Sequence, residues 1–160
     1  MMKNALITGA SHGIGKSISR KLAAEGCRLA LNCKNSKDEL EELCRDLRDS
    51  YGTDALPLIG DVGDYLAVNR MFLLIKEYFG HIDLLVNNAG ITYIGLLSDM
   101  SLEDWQKMID TNLSSVFYCC RLAVPDMVRN KCGKILNIYS VWGEVGASCE
   151  AAYSAAKGGV

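Results

Sequence analysis

The sequence predicts an α/β fold: a doubly wound, Rossmann-type parallel sheet between two layers of helices, in a three-layer α/β/α arrangement. Short apolar runs alternate with longer amphipathic segments along the whole chain, which is typical of βαβ units. The apolar runs are nearly continuous, as expected for strands that are buried on both faces. The first run leads directly into a glycine-rich turn and a helical segment, the order found in nucleotide-binding α/β domains.

Five strands can be assigned from the apolar runs, and most of the helices from apolar residues at helical spacing. The strands are predicted at 5–8, Arg28–Cys33, Ala55–Ile59, 82–86 and 134–139. The helices are predicted over 13–25, around the apolar stripes at 40–47 and 68–79, over 105–120, and from about residue 151. Pro125 predicts a bend towards the end of the long fourth helix.

The chain is expected to be a single dinucleotide-binding domain, 1–160, that is incomplete at its C-terminal side. Doubly wound dinucleotide folds are built from two halves of three strands each, whereas only five strands can be assigned here. The sheet is therefore expected to be truncated after the fifth strand and the start of the following helix. Such a sheet would leave the apolar fifth strand as an open edge, and these 160 residues alone are expected to be inactive.

Composition and charge exclude several classes of protein. The 160 residues carry a net charge of −2 and 49% hydrophobic residues, unlike a disordered chain or a nucleic-acid binder. No apolar run is long enough for a transmembrane helix, and the N-terminal segment lacks the apolar region of a signal peptide. Seven cysteines without a CxxC pair indicate reduced thiols in a cytoplasmic protein. Because the two histidines lie far apart, no metal site is expected.

The glycine-rich turn after the first strand is the predicted site of a dinucleotide pyrophosphate. Glycines let the backbone turn tightly and approach a ligand, and the following helix N-terminus offers free N–H groups and a positive dipole end. The spacing, G-x3-G-x-G, differs from the G-x-G-x-x-G fingerprint, and a plain tight turn is the alternative interpretation. The residues predicted to bind the cofactor here are Gly9, Ser11, His12, Gly13, Ile14 and Gly15.

This turn, which reads TGASHGIG from Thr8 to Gly15, resembles the TGxxxGIG signature of the short-chain dehydrogenase/reductase family. Three further motifs resemble motifs of that family and follow one another in the family's order. They are NNAG at 87–90, TNLSSVF at 111–117 and YSAAK at 153–157. The long helix and the last motif look most like those of bacterial 3-oxoacyl-[acyl-carrier-protein] reductases. The resemblance covers the whole chain and rests on four separate motifs.

Tyr153 and Lys157 form the predicted acid–base pair. Their i, i+4 spacing places both on one helix face, and a neighbouring ammonium favours the phenolate, which lowers a tyrosine pKa from about 10. The resemblance implies that Tyr153 donates a proton, that Lys157 tunes it and holds the nicotinamide ribose, and that Ser140 binds the substrate carbonyl. It also implies that Asn112 holds a water in a proton relay through Lys157. The alternatives are a surface helix pair, a turn-forming Ser and a core Asn bonded to backbone.

NADP(H) is predicted in preference to NAD(H). Folds of this type that bind NAD usually carry an acidic residue about 20 residues after the glycine loop, but none occurs between Gly26 and Lys37. Cys33 takes that position and Lys34 follows it; a carboxylate there would repel a 2′-phosphate, whereas Lys34 or Lys37 could pair with it. His12 occupies a position that is often basic in NADP-using relatives. A solvated surface lysine is the alternative for Lys34.

Two further segments complete the predicted cofactor site. Asp61 and Val62 follow the third strand and resemble the family's adenine-contacting pair, although an Asp at this place can also cap the next helix. The remaining cofactor residues implied by the resemblance are Asn88, Ala89 and Gly90, after the fourth strand, together with Tyr153 and Lys157.

One position departs from the family pattern. The residue before the catalytic Ser is commonly Ser or Gly, whereas here it is Tyr139, and strand alternation predicts that its ring points away from the carbonyl bound by Ser140. Trp142 and Glu144 follow in the loop, either as pocket residues or as plain loop residues.

These assignments predict an NADPH-dependent carbonyl reductase that converts a 3-oxoacyl thioester to the 3-hydroxyacyl form. Its substrate would be a small molecule or bound to an acyl carrier, and the complete protein would be a homo-oligomer, a dimer or tetramer. No nucleic-acid or membrane partner is expected. A reductase of another small ketone, such as a sugar or steroid, is the alternative within this class. The alternative from a different class is a non-catalytic dinucleotide-binding sensor.

Overall fold

Five parallel strands form the sheet in the computed structural model, which describes residues 2–160. They are β1 (Asn4–Ile7), β2 (Arg28–Cys33), β3 (Ala55–Ile59), β4 (Leu84–Asn87) and β5 (Lys134–Asn137). The order in the sheet is β3-β2-β1-β4-β5, and each neighbouring pair is parallel. The predicted doubly wound fold is confirmed, and the strand ends lie within two residues of the prediction.

The helices connect the strands as the periodicity predicts. They are α1 (Gly13–Ala24), α2 (Lys37–Tyr51), α3 (Tyr65–Phe79), α4 (Leu102–Ile109), α5 (Ser115–Arg129), α6 (Trp142–Val145) and α7 (Ala151–Gly158). The sequence does not predict α6 or the 3-10 turn at Leu97–Asp99, because elements of three or four residues are too short to show a period. Among the residues described, no helix combines the length and apolar character needed to span a membrane.

The core consists of two apolar layers, one on each face of the sheet. Along β1, Ile7 packs in the layer formed with α1 and α2, whereas Leu6 packs in the layer formed with α3 and α5. Leu29 and Ala30 of β2 divide between the two layers in the same way. Successive strand residues point to opposite faces, so a strand covered on both faces must be apolar throughout. This packing explains the continuous apolar runs in the sequence.

The long helix predicted after the fourth strand is interrupted by a wider turn. α4 ends at Ile109, a π-helical turn spans Asp110–Ser114, and α5 follows at Ser115. Pro125 lies inside α5, so the irregular turn lies around Asn112 and not at the proline. Single π turns within helices are frequent at functional sites, and this one contains a buried polar side chain.

The neighbouring strands β1 and β4 mark the point where the chain reverses direction across the sheet. From β1 the chain runs outward through β2 and β3 on one side, and it continues through β4 and β5 on the other. In open parallel sheets this reversal leaves a crevice at the carboxyl ends of the two central strands. The glycine-rich turn follows β1 and the NNAG motif follows β4, so both segments lie at this crevice.

Candidate active site

A cavity of about 400 Å³ occupies the crevice at the carboxyl ends of β1 and β4. The predicted cofactor residues that line it are Gly9, Ser11, His12, Gly13, Ile14, Cys33, Lys34, Asp61, Val62, Asn88, Ala89 and Gly90. The sequence reasoning missed other lining residues, namely Asn32, Asn35, Ser36, Gly60, Ile91 and Thr111. Three predicted cofactor residues, Gly15, Tyr153 and Lys157, do not line this cavity.

The glycine-rich turn needs glycine at two positions for different reasons. Gly9 has a φ of +63°, in the left-handed region that favours glycine. Gly15 lies behind the turn, where a Cβ atom would collide with the carbonyl oxygen of Gly9 and come within 2.7 Å of the Asn88 side-chain nitrogen. Gly15 therefore shapes the cavity through the close approach of α1 to the turn, and it does not face the cavity itself.

The N-terminus of α1 borders this cavity, since His12, Gly13 and Ile14 line it. Within residues 2–160, no side chain caps this helix end, and the first helical turn contains no acidic residue. His12, the residue before the helix, pairs with its neighbour instead, because its Nδ1 lies 2.9 Å from the Ser11 Oγ. An uncapped N-terminus combines free donors with the positive end of the helix dipole. These residues fit a pyrophosphate group.

A hydrogen-bond network ties the end of β4 to the glycine-rich turn. The Thr8 hydroxyl oxygen accepts from the backbone N–H groups of Asn88 and Ala89, each at 3.0 Å. In the other direction, the Asn88 side-chain amide donates to the carbonyl oxygens of Thr8 (2.9 Å) and Gly9 (3.0 Å). The floor of the cavity is therefore held by side chains that bridge β1 and β4. Thr8 stands first in the TGxxxGIG signature, which was the only sequence signal for its role.

Asn32 is a buried polar residue that the sequence reasoning missed. It lies near the end of β2 and is 1% exposed. Its side-chain amide donates to the carbonyl oxygens of Leu58 (3.2 Å) and Gly60 (2.9 Å), which joins the ends of β2 and β3. Its side-chain oxygen, Oδ1, accepts a hydrogen bond from the backbone N–H of Gly9 at 3.5 Å. A polar residue inside an apolar strand was the available signal, because such a side chain needs partners.

Lys34 is not a free cation at the end of β2, because it forms an ion pair with Asp61. The Lys34 Nζ contacts Asp61 Oδ2, and the other carboxylate oxygen of Asp61 accepts from the Gly63 backbone N–H at 2.9 Å. Partial burial favours a higher pKa for Asp61, but the hydrogen bonds from Lys34 and Gly63 outweigh it and lower the pKa. Burial raises the pKa of the adjacent Cys33 thiol, which keeps it neutral.

A second cavity, of about 320 Å³, adjoins the first and contains the predicted catalytic side chains. It is lined by Ser140, Tyr153 and Lys157, together with Ile14, Asn88, Gly90 and Ile91, which also line the first cavity. The fold therefore brings the β5 end and α7 against the glycine-rich turn and the NNAG motif. Tyr153 and Lys157 border this second cavity and not the first.

Lys157 is held in place by the chain that follows β5. The side chain is 6% exposed, and its Nζ donates to the carbonyl oxygen of Ile138 at 2.9 Å. The same Nζ lies 5.9 Å from the centre of the Tyr153 ring, as the i, i+4 spacing predicts. Burial lowers the pKa of Lys157 from its ordinary value, because removal from water disfavours the ammonium.

Tyr139 does not follow the predicted strand alternation. β5 ends at Asn137, so the alternation of side chains stops before this residue, and Tyr139 lines the second cavity together with Ser140. Its ring packs over Gly143, where an added Cβ would lie 2.7 Å from a ring carbon. The prediction that its ring points away from the Ser140 site rested on a strand that had already ended. Trp142 and Glu144 belong to α6 and are not among the described residues that line this cavity.

Asn112 holds the loop after β4 through backbone hydrogen bonds. Its amide nitrogen donates to the carbonyl oxygens of Ile91 and Met108, each at 3.0 Å, and its oxygen accepts from the Ile91 N–H at 3.0 Å. Gly90 fits closely beside it, since a Cβ there would lie 2.8 Å from the Asn112 oxygen. The side chain thus fixes Gly90 and Ile91, two residues that line both cavities.

Fold and site together define a doubly wound α/β protein with a glycine-rich turn at the start of α1 and a cavity, next to this turn, that a tyrosine–lysine pair lines. The sequence profile described as "short chain dehydrogenase" matches residues 3–160. The chain therefore belongs to the short-chain dehydrogenase family. A similar protein is the 3-oxoacyl-[acyl-carrier-protein] reductase FabG of Staphylococcus aureus (strain Mu50), which is 43% identical over 160 residues. That match covers 100% of this chain and 65% of the relative, so the chain spans about two thirds of the relative's length.

Solved structures show the same fold. A metagenomic short-chain oxidoreductase in complex with NADP superposes with a TM-score of 0.94 at 33% identity, over 98% of this chain and 71% of that one. L-sorbose reductase from Gluconobacter frateurii, complexed with NADPH and L-sorbose, also has a TM-score of 0.94, at 29% identity, over 98% of this chain and 59% of that one. The predicted family resemblance is confirmed by both comparisons.

Proposed function

We propose that this chain carries the cofactor and catalytic sites of an NADPH-dependent carbonyl reductase that reduces a 3-oxoacyl thioester to the 3-hydroxyacyl form. The observation that carries the proposal is the shared border of the two cavities. Gly90 and Ile91 line both, so a dinucleotide along the first cavity would end beside Tyr153, Lys157 and Ser140. Bound NADPH would supply a hydride to the substrate carbonyl carbon.

The binding residues have the chemistry that a dinucleotide requires. The uncapped α1 N-terminus and the turn at Gly9 would hold the pyrophosphate. Lys34 would meet the 2′-phosphate, while Asp61 and Val62 would contact the adenine. The absence of an acidic residue between Gly26 and Lys37 supports NADP(H) over NAD(H). The two solved relatives described above were determined with NADP and NADPH.

Tyr153 is proposed as the proton donor to the carbonyl oxygen. The Lys157 Nζ lies 5.9 Å from the centre of the Tyr153 ring, so an ammonium there would stabilise the negative charge that develops as the proton is transferred. The Lys157 Nζ donates a hydrogen bond to the Ile138 carbonyl oxygen. This contact holds the ammonium next to Tyr153 in the second cavity, which adjoins the proposed cofactor cavity. Positioned acid–base groups of this kind contribute about 10²–10⁴-fold to rate.

Ser140 is proposed to orient the substrate carbonyl. Its Oγ accepts a hydrogen bond from the Trp142 backbone N–H at 3.3 Å, which leaves the hydroxyl proton free to be donated. Ser140 and Tyr153 line the same cavity, so both can reach one oxygen atom. Asn112 is proposed to support this site through the Gly90–Ile91 backbone, and as the site of a relay water next to Lys157.

The substrate class is proposed from the relatives. The 43% identity to a 3-oxoacyl-[acyl-carrier-protein] reductase favours an acyl thioester, presented by an acyl carrier or as a small molecule. The structural likeness to L-sorbose reductase keeps a sugar ketone as the second candidate. The seven cysteines are all unpaired, which supports a reducing compartment such as the cytoplasm.

A homo-oligomer is proposed for the complete protein. Phe117, Val124 and Val128 of α5 are spaced i, i+7 and i+11, which places them along one helix face, and each is at least 40% exposed. An apolar helix face of this kind is typical of an interface. Light scattering of the purified complete protein would measure whether it is a dimer or tetramer.

A steady-state assay tests the proposed function directly. NADPH consumption would be followed by absorbance in the complete protein with a series of 3-oxoacyl thioesters and, in parallel, with sugar ketones. We expect turnover with the thioesters. Turnover only with sugars would select the second candidate, and NADPH binding without any turnover would favour the non-catalytic sensor.

A further inference from the structure

The Lys34–Asp61 ion pair lies where the cofactor cavity meets a more acidic outer cleft. Both residues line the cofactor cavity, and both also line an adjoining cleft of about 430 Å³. Three further carboxylates, those of Asp64, Glu103 and Asp110, and one further cation, Lys107, line the outer cleft, so carboxylates outnumber cations there. The only cation that faces the cofactor cavity from this side, among residues 2–160, therefore stands at the edge of an acidic surface.

We propose that Asp61 is a specificity-determining residue that restrains the preference of this protein for NADPH over NADH. This inference rests on the proposed function. A 2′-phosphate needs the Lys34 ammonium as its partner, but Asp61 already holds it. The phosphate must therefore share this ammonium or displace Asp61, and it does so close to a second negative charge. NADH has no 2′-phosphate, so this competition leaves NADH binding unaffected.

Asp61 is the fixed partner of the pair, and Lys34 is the movable one. The Asp61 carboxylate is anchored by the Gly63 N–H at 2.9 Å, and about a third of its side chain is exposed. About half of the Lys34 side chain is exposed. Among residues 2–160, Asp61 is the one residue with which its ammonium forms an ion pair. The Lys34 ammonium can therefore pair either with the fixed Asp61 carboxylate or with a bound 2′-phosphate. The negative charge of Asp61 determines how strongly the first pairing competes with the second.

Replacement of Asp61 by Asn tests this inference because it changes the charge and little else. Asn has the same size, and its side-chain oxygen can still accept from Gly63. The dissociation constants of NADPH and NADH would each be measured by fluorescence titration, and the readout is their ratio. A lost adenine contact weakens both cofactors alike and cancels in that ratio. We expect the preference for NADPH to rise about fivefold, the order of one partly exposed ion pair.

Two control variants separate the ion pair from a general charge effect. Asp64→Asn removes a carboxylate from the same cleft, and Asn still caps α3 at that position, where Asp64 accepts from the Leu66 N–H. Asp64 forms no ion pair or hydrogen bond with Lys34 within residues 2–160. We therefore expect Asp64→Asn to change the ratio of the NADPH and NADH dissociation constants by less than about twofold. Asp61→Asn would also be introduced into the Lys34→Ala variant. In that double variant, Asp61→Asn should no longer raise the preference for NADPH over NADH.

The possible outcomes separate this inference from the proposed function. An unchanged or lower ratio in Asp61→Asn, with both cofactors still bound, would overturn the inference and leave the proposed function standing. A gain of equal size in the absence of Lys34 would also overturn it, because direct repulsion would then act without the ion pair. Failure of the unmodified protein to bind either cofactor would overturn the proposed function and the inference together.

Discussion

The two ends of the crevice are built in different ways. At the glycine-rich turn, every β1 residue is buried, and the side chains of Thr8, Asn32 and Asn88 bond the strand ends to one another. At the catalytic end, the Ser140 Oγ accepts a hydrogen bond from the Trp142 backbone N–H, only two residues along the chain. The principal side-chain tie from α7 to the β5 end is the bond from Lys157 to the Ile138 carbonyl.

We therefore expect the proposed cofactor binding and the proposed chemistry to depend on different kinds of residue in the same domain. The phosphate end is part of the packed interior, so a changed side chain there disturbs folding as well as binding. At the catalytic end, Ser140 and Tyr153 are half-buried, so replacement of either side chain is expected to alter the proposed chemistry with little effect on stability, whereas replacement of the buried Lys157 would affect both. Four sets of variants test this contrast.

The largest effect is expected at the catalytic end from Tyr153→Phe. This change removes the proposed proton donor and leaves the ring beside Lys157, so turnover should fall by at least about 10²-fold. NADPH affinity, measured by fluorescence titration, should stay within about twofold, because the phosphate end is untouched. Near-full activity of Tyr153→Phe with a ketone substrate would show that another group supplies the proton.

The next largest effect is expected at the phosphate end from Gly15→Ala. The added methyl group collides with the Gly9 carbonyl, which is backbone and cannot yield without moving the turn. Overpacking of this kind costs about 2 kcal/mol, and denaturant unfolding would measure it, together with a loss of NADPH affinity. Gly52→Ala is the matched control, since that glycine follows α2 in the left-handed region, with a φ of +65° and open space around it. The control should cost only about 1 kcal/mol of backbone strain, and equal losses would remove the proposed contrast.

A comparison of two polar residues sharpens the contrast. Asn32→Ala leaves the Gly60 carbonyl without its side-chain donor inside the protein, which should lower the free energy of unfolding by about 2 kcal/mol. Ser140→Ala removes a hydroxyl from the catalytic end and should change that free energy by less than about 0.5 kcal/mol. Turnover should fall in Ser140→Ala because the carbonyl loses its hydrogen-bond donor. Thermal or denaturant unfolding and the NADPH assay would measure both effects in each variant.

The smallest effect is expected from Lys34→Ala, at the exposed rim of the phosphate end. Loss of the ammonium should reduce the preference for NADPH over NADH about fivefold, as measured from the two dissociation constants. Lys37→Ala is the control, because Lys37 pairs with Glu41 on α2 and does not line the cavity. Equal binding of NADPH and NADH to the unmodified protein would contradict the predicted cofactor preference.

The amino-acid sequence was sufficient to predict the five strands, the longer helices and their order, but not the elements of three or four residues. Burial on both faces makes β1 and β2 predominantly apolar runs, and packing of one face gives α2 the stripe of Leu40, Leu43 and Leu47. An apolar run and a period of 3.6 residues both lie within one segment, so neighbouring residues suffice to reveal them. The Tyr153–Lys157 pair is equally local, because four residues of one helix define its spacing.

How distant segments meet could be seen only in the folded structure. The carboxylate that pairs with Lys34 comes from the end of a different strand, and the partners of the Asn112 side chain include the loop after β4. The orientation of Tyr139 depended on where β5 stops, which a strand pattern locates only to within a residue or two. Contacts of this kind follow from strand register and from the length of each connection, and a period within one segment contains no information about them.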